Sequence, residues 1–467
     1  MAARFVCIDR DTPLLLPPDM RDWVPANHLV HFILDAVDAL DLRQVKVNTR
    51  GTGDKQYPPR MLLAALIYSY ATGVFGSRRI ESSTYDSVPM RVLTADTHPD
   101  HDTLCTFRRK NQALLTESFV GVLQLAQQLK LLKFGQLTVA ADGTKVQANA
   151  SKHSAVSYAR AGKMMEQLEL EVQQLLAKAE AADSAPLREG LTIPEEITRR
   201  QERQAALARA RAEIEARAHA RYAAKLAEHK EKLAERAAKK ESGQRVGGQE
   251  PKAPNPEPEA KDQYNFTDPE SRIMKAGNGN HFEQSYNAQA AVEVESRLIV
   301  GQCVSVAPND KQELEPTLNS IPPEAGDVSA VLVDSGYFSE RAVRQVEENP
   351  EGGSTGTKVY AAVEKTGHHR SVADLEIRSE PEAPPPGASV KEVMSHRLRT
   401  SEGKALYKLR QQTVEPIFGI IKSVLGFRQF HLRGREKVSL EWTLVGLAYN
   451  LKRLHRLSGG LKLALGT

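Results

Sequence analysis

The chain has 467 residues, 40% of them hydrophobic, enough for two or three folded domains and too apolar for a disordered protein. A net charge of +4 conceals a basic C-terminal region, where residues 403–456 carry eleven Lys or Arg against three Glu, which points to a polyanionic partner such as nucleic acid. Three scattered cysteines exclude a disulfide framework and a zinc ribbon, Asp and Pro within the first twenty residues argue against a signal peptide, and the apolar run 61–70 is too short for a bilayer. The expectation is a soluble cytoplasmic protein with no membrane association.

Residues 1–130 read as a helical N-terminal domain. Asn27 is placed to cap a helix with Leu29, Val30, Ile33, Leu34, Val37 and Leu40 on one side. Pro58-Pro59 opens a second helix that Gly73 closes, and Ser77 begins a third. The turn His98–Thr103 leads into a long fourth helix that carries Arg108, Arg109 and Lys110 in its second turn. Short helices with a polar turn and basic residues are compatible with DNA binding through Arg108 and Arg109, and equally with a plain bundle.

Residues 131–155 begin an α/β core. Gln136–Asp142 has the pattern of a strand ending at Asp142, with Gly143-Thr144-Lys145 as the turn. Residues 156–245 are rich in Ala, Glu, Lys, Arg and Gln, and predict an inserted helical pair. The prolines of residues 246–262 predict a flexible, disordered linker. In the remainder of the core, 263–457, Tyr286–Glu293 and Leu298–Val306 read as a hairpin, with a helix over 311–318. Val328–Val333 reads as a buried strand ending at Asp334, and Lys358–Val363 as a further strand. Basic C-terminal helices follow. The fold class is α/β, a mixed sheet of about five strands flanked by helices.

One stripe of the helix around 414–425 carries Glu415, Gly419 and Lys422. Alone, that is an ordinary solvated face. With Asp142 and Asp334 it makes three hard oxygen donors suited to Mg²⁺ or Mn²⁺. Three carboxylates can hold two such ions about 3.5–4 Å apart, one activating water or a 3′-hydroxyl and the other stabilising the leaving oxygen. Lys145, Arg410 and Lys422 are placed in sequence to neutralise a phosphate backbone. Glu402 reads as a loop residue, and Asp268 and Asp310 as turn formers.

These motifs resemble the DDE transposases of bacterial insertion sequences, in the group with a Tyr-Arg-Glu-Lys signature. Ala141–Lys152 resembles the first catalytic motif, Val333–Tyr337 the second, and Tyr407, Arg410, Glu415 and Lys422 the third. Tyr57–Leu62, His98–Thr103, Phe266–Met274 and Tyr286–Gln289 also look like family features. Four residues separate Arg410 from Glu415, where the familiar signature has three; the six between Glu415 and Lys422 match. The resemblance implies a ribonuclease-H-like core and catalytic, metal-binding roles for Asp142, Asp334 and Glu415. It also implies DNA contacts by Lys152, Tyr407 and the neighbouring basic residues, and a homodimer on double-stranded DNA, at the nucleoid when bound. A catalytically inactive DNA-binding relative and a metal-dependent nuclease are the alternatives.

Overall fold

The computed structural model describes residues 19–47, 55–182, 193–241, 249–275, 281–349, 351, 353–363, 380–385 and 387–459. They divide into two compact units, residues 1–148 with 285–467, and residues 149–284.

The first unit is built on strand β1, Gly135–Gln147, whose buried Leu137, Val139, Ala140 and Ala141 mark a central strand with both faces covered. On one side β1 pairs antiparallel with β2, Phe282–Glu293, which pairs antiparallel with β3, Ile299–Ser305. On the other, β4, Gly326–Val333, runs parallel to β1, and β5, Lys358–Ala361, parallel to β4. This unit therefore contributes its strands in the order β3-β2-β1-β4-β5, a hairpin on one flank and parallel crossovers on the other. That is a mixed sheet of the ribonuclease-H-like kind. The strand predicted to stop at Asp142 continues to Gln147, because Gly143–Gln147 keeps its ladder with Ser285–Gln289. Only the parallel ladder ends early, at Ala140 opposite Leu332.

Among the described residues, six α-helices precede β1: α1 Leu29–Ala39, α2 Pro59–Ala71, α3 Ser77–Asp86, α4 Val88–Leu93, α5 His101–Lys110 and α6 Gln112–Gln128. His28, not Asn27, caps α1, its Nδ1 accepting from the Val30 N–H at 3.2 Å. The single long fourth helix of the sequence reading is broken at Asn111. Asn111 Oδ1 accepts from the Lys46 N–H at 2.6 Å and its Nδ2 donates to the Phe107 carbonyl at 3.0 Å, so the side chain competes with the helical ladder. Arg108 and Arg109 thus lie in a last turn rather than a second turn.

After the hairpin come α7 Leu314–Asn319, shorter than expected, and α8 Glu340–Glu347. Then follow α9 Val390–Arg399, α10 Ser401–Gly419 and α11 Arg435–Leu457. Glu402 sits in the first turn of α10, not in a loop, because Thr400 caps that helix by accepting from the Gly403 N–H at 3.0 Å.

The hydrophobic run of α11 is enclosed on several sides. Trp442 donates to the Gln289 carbonyl of β2 at 2.9 Å, Asn450 exchanges two hydrogen bonds with Ile299 of β3, and Lys452 donates to the Ala71 carbonyl of α2 at 2.7 Å. Trp442 and Tyr449 are buried. Glu441, fully buried on the same helix, accepts from Tyr70 Oη, from the backbone N–H groups of His431 and Leu432, each at 2.9 Å, and contacts His431 Nδ1 at 3.2 Å. Arg108 Nη1 donates to Tyr70 Oη at 3.0 Å. Burial, then the neighbouring Glu441 charge, push the Tyr70 hydroxyl well above its ordinary pKa, so it stays a donor. Arg108 is therefore a buried core residue and not a DNA contact.

In the second unit, helices Tyr158–Ala182 and Ile193–Glu241 pack together around Val156, Ala161, Leu207 and Ala210. Two short strands, Ala155–Ser157 and Gln263–Asn265, pair beside them. The predicted linker begins at 246–248, outside the described residues; from 249 to 262 it has neither helix nor strand. Its end is pinned rather than disordered. Arg221 donates to both Asp262 carboxylate oxygens, at 3.0 and 2.7 Å, and the Tyr158 N–H donates to the Asp262 carbonyl at 2.8 Å.

Arg108→Ala is expected to destabilise the protein by about 3 kcal/mol, as the loss of a buried charged partner does, whereas exposed Arg109→Ala changes stability by less than about 0.5 kcal/mol. Chemical denaturation of the two variants checks this, and equal stabilities would exclude the buried role.

Candidate functional site

The parallel register of β1 and β4 decides where the first two acidic residues meet. Their last ladder pair is Ala140 with Leu332, so Asp142 and Asp334 each stand two residues beyond it, Asp142 still on β1 and Asp334 just past the end of β4. Asp142 is on a continuous strand, not at a strand end. Its Oδ1 accepts from the Gly143 N–H at 2.8 Å, and its side chain is 19% exposed. Burial raises its pKa to about 7; Asp334 pushes it the same way, while the Gly143 N–H and Arg410 oppose the rise. Asp334 begins a turn, its Oδ1 accepting from the Gly336 N–H at 2.8 Å.

Helix α10 brings the third carboxylate. Arg410, nearly buried, donates from Nη2 to Glu415 Oε1 at 2.9 Å, and its Nη1 lies 3.9 Å from Asp142 Oδ2. One guanidinium thus spans the first and third predicted carboxylates. The Glu415 side chain is half exposed. Pro416 follows inside the helix, where it has no N–H to give, and the chain passes into a π-helical turn at Ile420–Val424. Tyr407, one turn before Arg410, is half-buried; burial raises its pKa, with the Arg410 charge opposing and the Asp334 charge adding.

Lys422, in the π-helical turn, donates from Nζ to the Lys145 carbonyl at 2.7 Å, which ties this turn to β1. Lys145 Nζ lies 3.7 Å from Asp310 Oδ1, beyond hydrogen-bond reach, and has no hydrogen-bond partner among the described residues. Burial lowers the pKa of both lysines. Two partly desolvated ammonium groups therefore belong to or bond the segment of β1 that follows Asp142. Lys152 is exposed in the second unit, and Arg109 is exposed with only a 3.4 Å bond to Thr106 Oγ1.

The sequence reading missed a second polar layer. Asn287 and Gln289 on β2 lie opposite Lys145 and Gly143, and both donate to Asp310 Oδ1, at 2.7 and 2.8 Å. Asp310 is thus a buried-cluster acceptor and not merely a turn former. The available signal was the pair of amides at alternate positions of an otherwise buried strand.

Among the described residues, no group of three His, Cys, Asp or Glu side chains stands close enough to hold a metal ion. The donor chemistry nevertheless fits a hard divalent cation. All three are oxygen ligands, and Asp142 carries a burial cost that a neighbouring cation would relieve. Arg410 supplies positive charge between Asp142 and Glu415 in this arrangement.

Residues 250–451 match a family model described as Transposase DDE domain, and residues 18–110 match one described as Transposase domain (DUF772). The first match includes Asp334 and Glu415 and begins after Asp142. No curated protein and no solved structure matches the chain.

Because Asp142 holds its proton to about pH 7 in the folded chain and loses it near pH 4 when unfolded, the fold binds the extra proton between those values. The cost of the carboxylate is complete above pH 7 and fades toward pH 4. Asp142→Asn should therefore stabilise the metal-free protein at pH 8, by at most about 4 kcal/mol, with a gain that shrinks on acidification. Thermal melts in chelator at pH 8 and pH 5 measure it; a gain independent of pH would refute the burial account.

Proposed function

The chain belongs to the DDE transposases, enzymes that act on DNA, and from that premise we propose which of its residues carry the reaction. Asp142, Asp334 and Glu415 are the catalytic carboxylates, cutting phosphodiesters at the ends of an insertion sequence and joining them to a target. The observation that carries this reading is the register that stands Asp142 beside Asp334, with Glu415 linked to Asp142 through one guanidinium.

Divalent-metal dependence belongs to the family; here Asp142, Asp334 and Glu415 would hold Mg²⁺ or Mn²⁺. When bound, such ions would supply polarisation of the attacking water or 3′-hydroxyl and offset charge on the leaving oxygen. The protein's own part is positioning and charge. Asp142 would serve as a carboxylate ligand, and Arg410, which lies 3.9 Å from it and bonds Glu415, would be placed to meet a phosphate oxygen. Lys145 and Lys422 present ammonium groups whose partial burial strengthens their attraction to the DNA backbone. Tyr407 orients that phosphate beside Arg410.

Lys152 and Arg109 are further backbone contacts, and Arg108 is not. The helices of residues 19–128 contribute to DNA binding, the helical insertion grips DNA or a second copy, and two copies pair the two ends. No helix among the described residues is long and apolar enough to cross a membrane. The protein works in the cytoplasm, at the nucleoid.

Cleavage of the element's own ends tests the assignment. Asp142→Asn, Asp334→Asn and Glu415→Gln should each lower cleavage by at least about 10³-fold while leaving end binding intact. Any of the three cutting at the wild-type rate would remove that residue from the set. A wild-type protein that hydrolyses ends without joining them would identify a nuclease, and one that binds without cutting an inactive relative. Lys422→Ala should weaken binding on all sequences and reduce the salt slope by about 1; an unchanged slope would exclude a phosphate contact.

A further inference from the structure

Gln289 is fully buried, so both ends of its side-chain amide require partners. Its Nε2 donates to Asp310 Oδ1 at 2.8 Å, and its Oε1 accepts from the Tyr337 hydroxyl. A carboxylate oxygen only accepts, which fixes the end of the amide that faces Asp310 and leaves the other for Tyr337. Asp310 is held in its turn by Asn287 Nδ2, at 2.7 Å, and Asn287 also donates to the Ala307 carbonyl at 3.2 Å. With two amides on one oxygen and Lys145 Nζ at 3.7 Å, Asp310 is committed inside this cluster.

The other end of the chain of contacts reaches the reacting pair. Tyr337 is fully buried, and burial first, then the nearby Asp310, Asp142 and Asp334 charges, keep its hydroxyl protonated. It closes the turn that Asp334 opens, its N–H donating to the Asp334 carbonyl at 3.3 Å while the Gly336 N–H holds the carboxylate. The same cluster presses on β1. A Cβ at Gly143, the neighbour of Asp142, would run into the Gln289 amide and come within 2.7 Å of Asp310 Oδ1 and 2.9 Å of Asn287 Oδ1. Glycine there lets the amide layer lie directly against the strand that carries Asp142.

We propose that Asp310, Gln289 and Tyr337 form a positioning relay, anchored at Asp310, that fixes the Asp334 turn against the strand of Asp142. None of the three touches DNA; each acts through the next. The proposal rests on the reading of Asp142 and Asp334 as reacting carboxylates, but its structural half is measurable without catalysis.

Hydrogen–deuterium exchange of the full-length, metal-free protein reads that half. In Tyr337→Phe and in Gln289→Leu, the Gly336 and Tyr337 (or Phe) amides should exchange about tenfold faster, the scale of one lost hydrogen bond, while α11 keeps its wild-type protection. The Mg²⁺ concentration for half-maximal end cleavage should rise several-fold in Tyr337→Phe, with end affinity unchanged and the wild-type protection of α11 showing that the variant is folded. Unaltered exchange at residues 336 and 337 in both variants would overturn the relay. So would faster exchange with an unchanged Mg²⁺ requirement, since the turn would then be held without positioning anything. A wild-type protein that cuts no DNA would sink the catalytic assignment instead, and the exchange result would still decide the relay.

Discussion

A carboxylate on the central strand of a covered sheet is costly, and Asp142 is placed where that cost is only partly met. One N–H and a guanidinium at 3.9 Å are its support, and its pKa rises to about 7. Two other buried carboxylates of the same unit show what a structural solution looks like. Glu441 collects a phenol, two backbone N–H groups and an imidazole. Glu293 accepts from the N–H groups of Glu295 and Ser296 and from the Ser296 hydroxyl, and so closes the hairpin turn. Those two are satisfied by the fold itself. Asp142 retains unmet acceptor capacity, which is the condition for binding something cationic.

That condition is maintained by the architecture around it. The parallel ladder stops two residues short of Asp142 and Asp334, which leaves both carboxylates free of β-pairing between them. The antiparallel ladder on the other side continues, so Asp142 is held on a rigid strand. Helix α11 then bonds to β2 and β3 on one side and to α2 on the other, which makes the N-terminal helices part of the same unit as the sheet.

Much of this was legible in the chain. The buried run before Asp334, the Glu295-Ser296-Arg297 turn between two apolar strands, the helical spacing of leucines over 440–454 and the paired helices of the insertion all follow from local periodicity. Three of the misreadings share one cause, which is that a distant partner overrode a local signal. Gly143 looks like a turn residue but sits in a strand because β2 pairs with it and an amide layer needs its bare Cα. Asn111 breaks a continuous helical pattern because its side chain also serves Lys46. Asp262 fastens a proline-rich segment through Arg221, forty-one residues away.

Sequence alone determined the kinds of element and their order, and it singled out three carboxylates, since each is written in spacing or in a local motif. It could not determine which of the basic residues face solvent. Arg108 and Arg109 are neighbours of one type, yet one is sealed under Tyr70 and the other is exposed, because a helix turns successive side chains about 100° apart and only packing chooses the buried face. Nor could it find Asp310, whose significance comes from two amides on a strand twenty or more residues earlier. Those assignments depend on contacts between segments remote in sequence, and they exist only once the sheet has closed around Asp142.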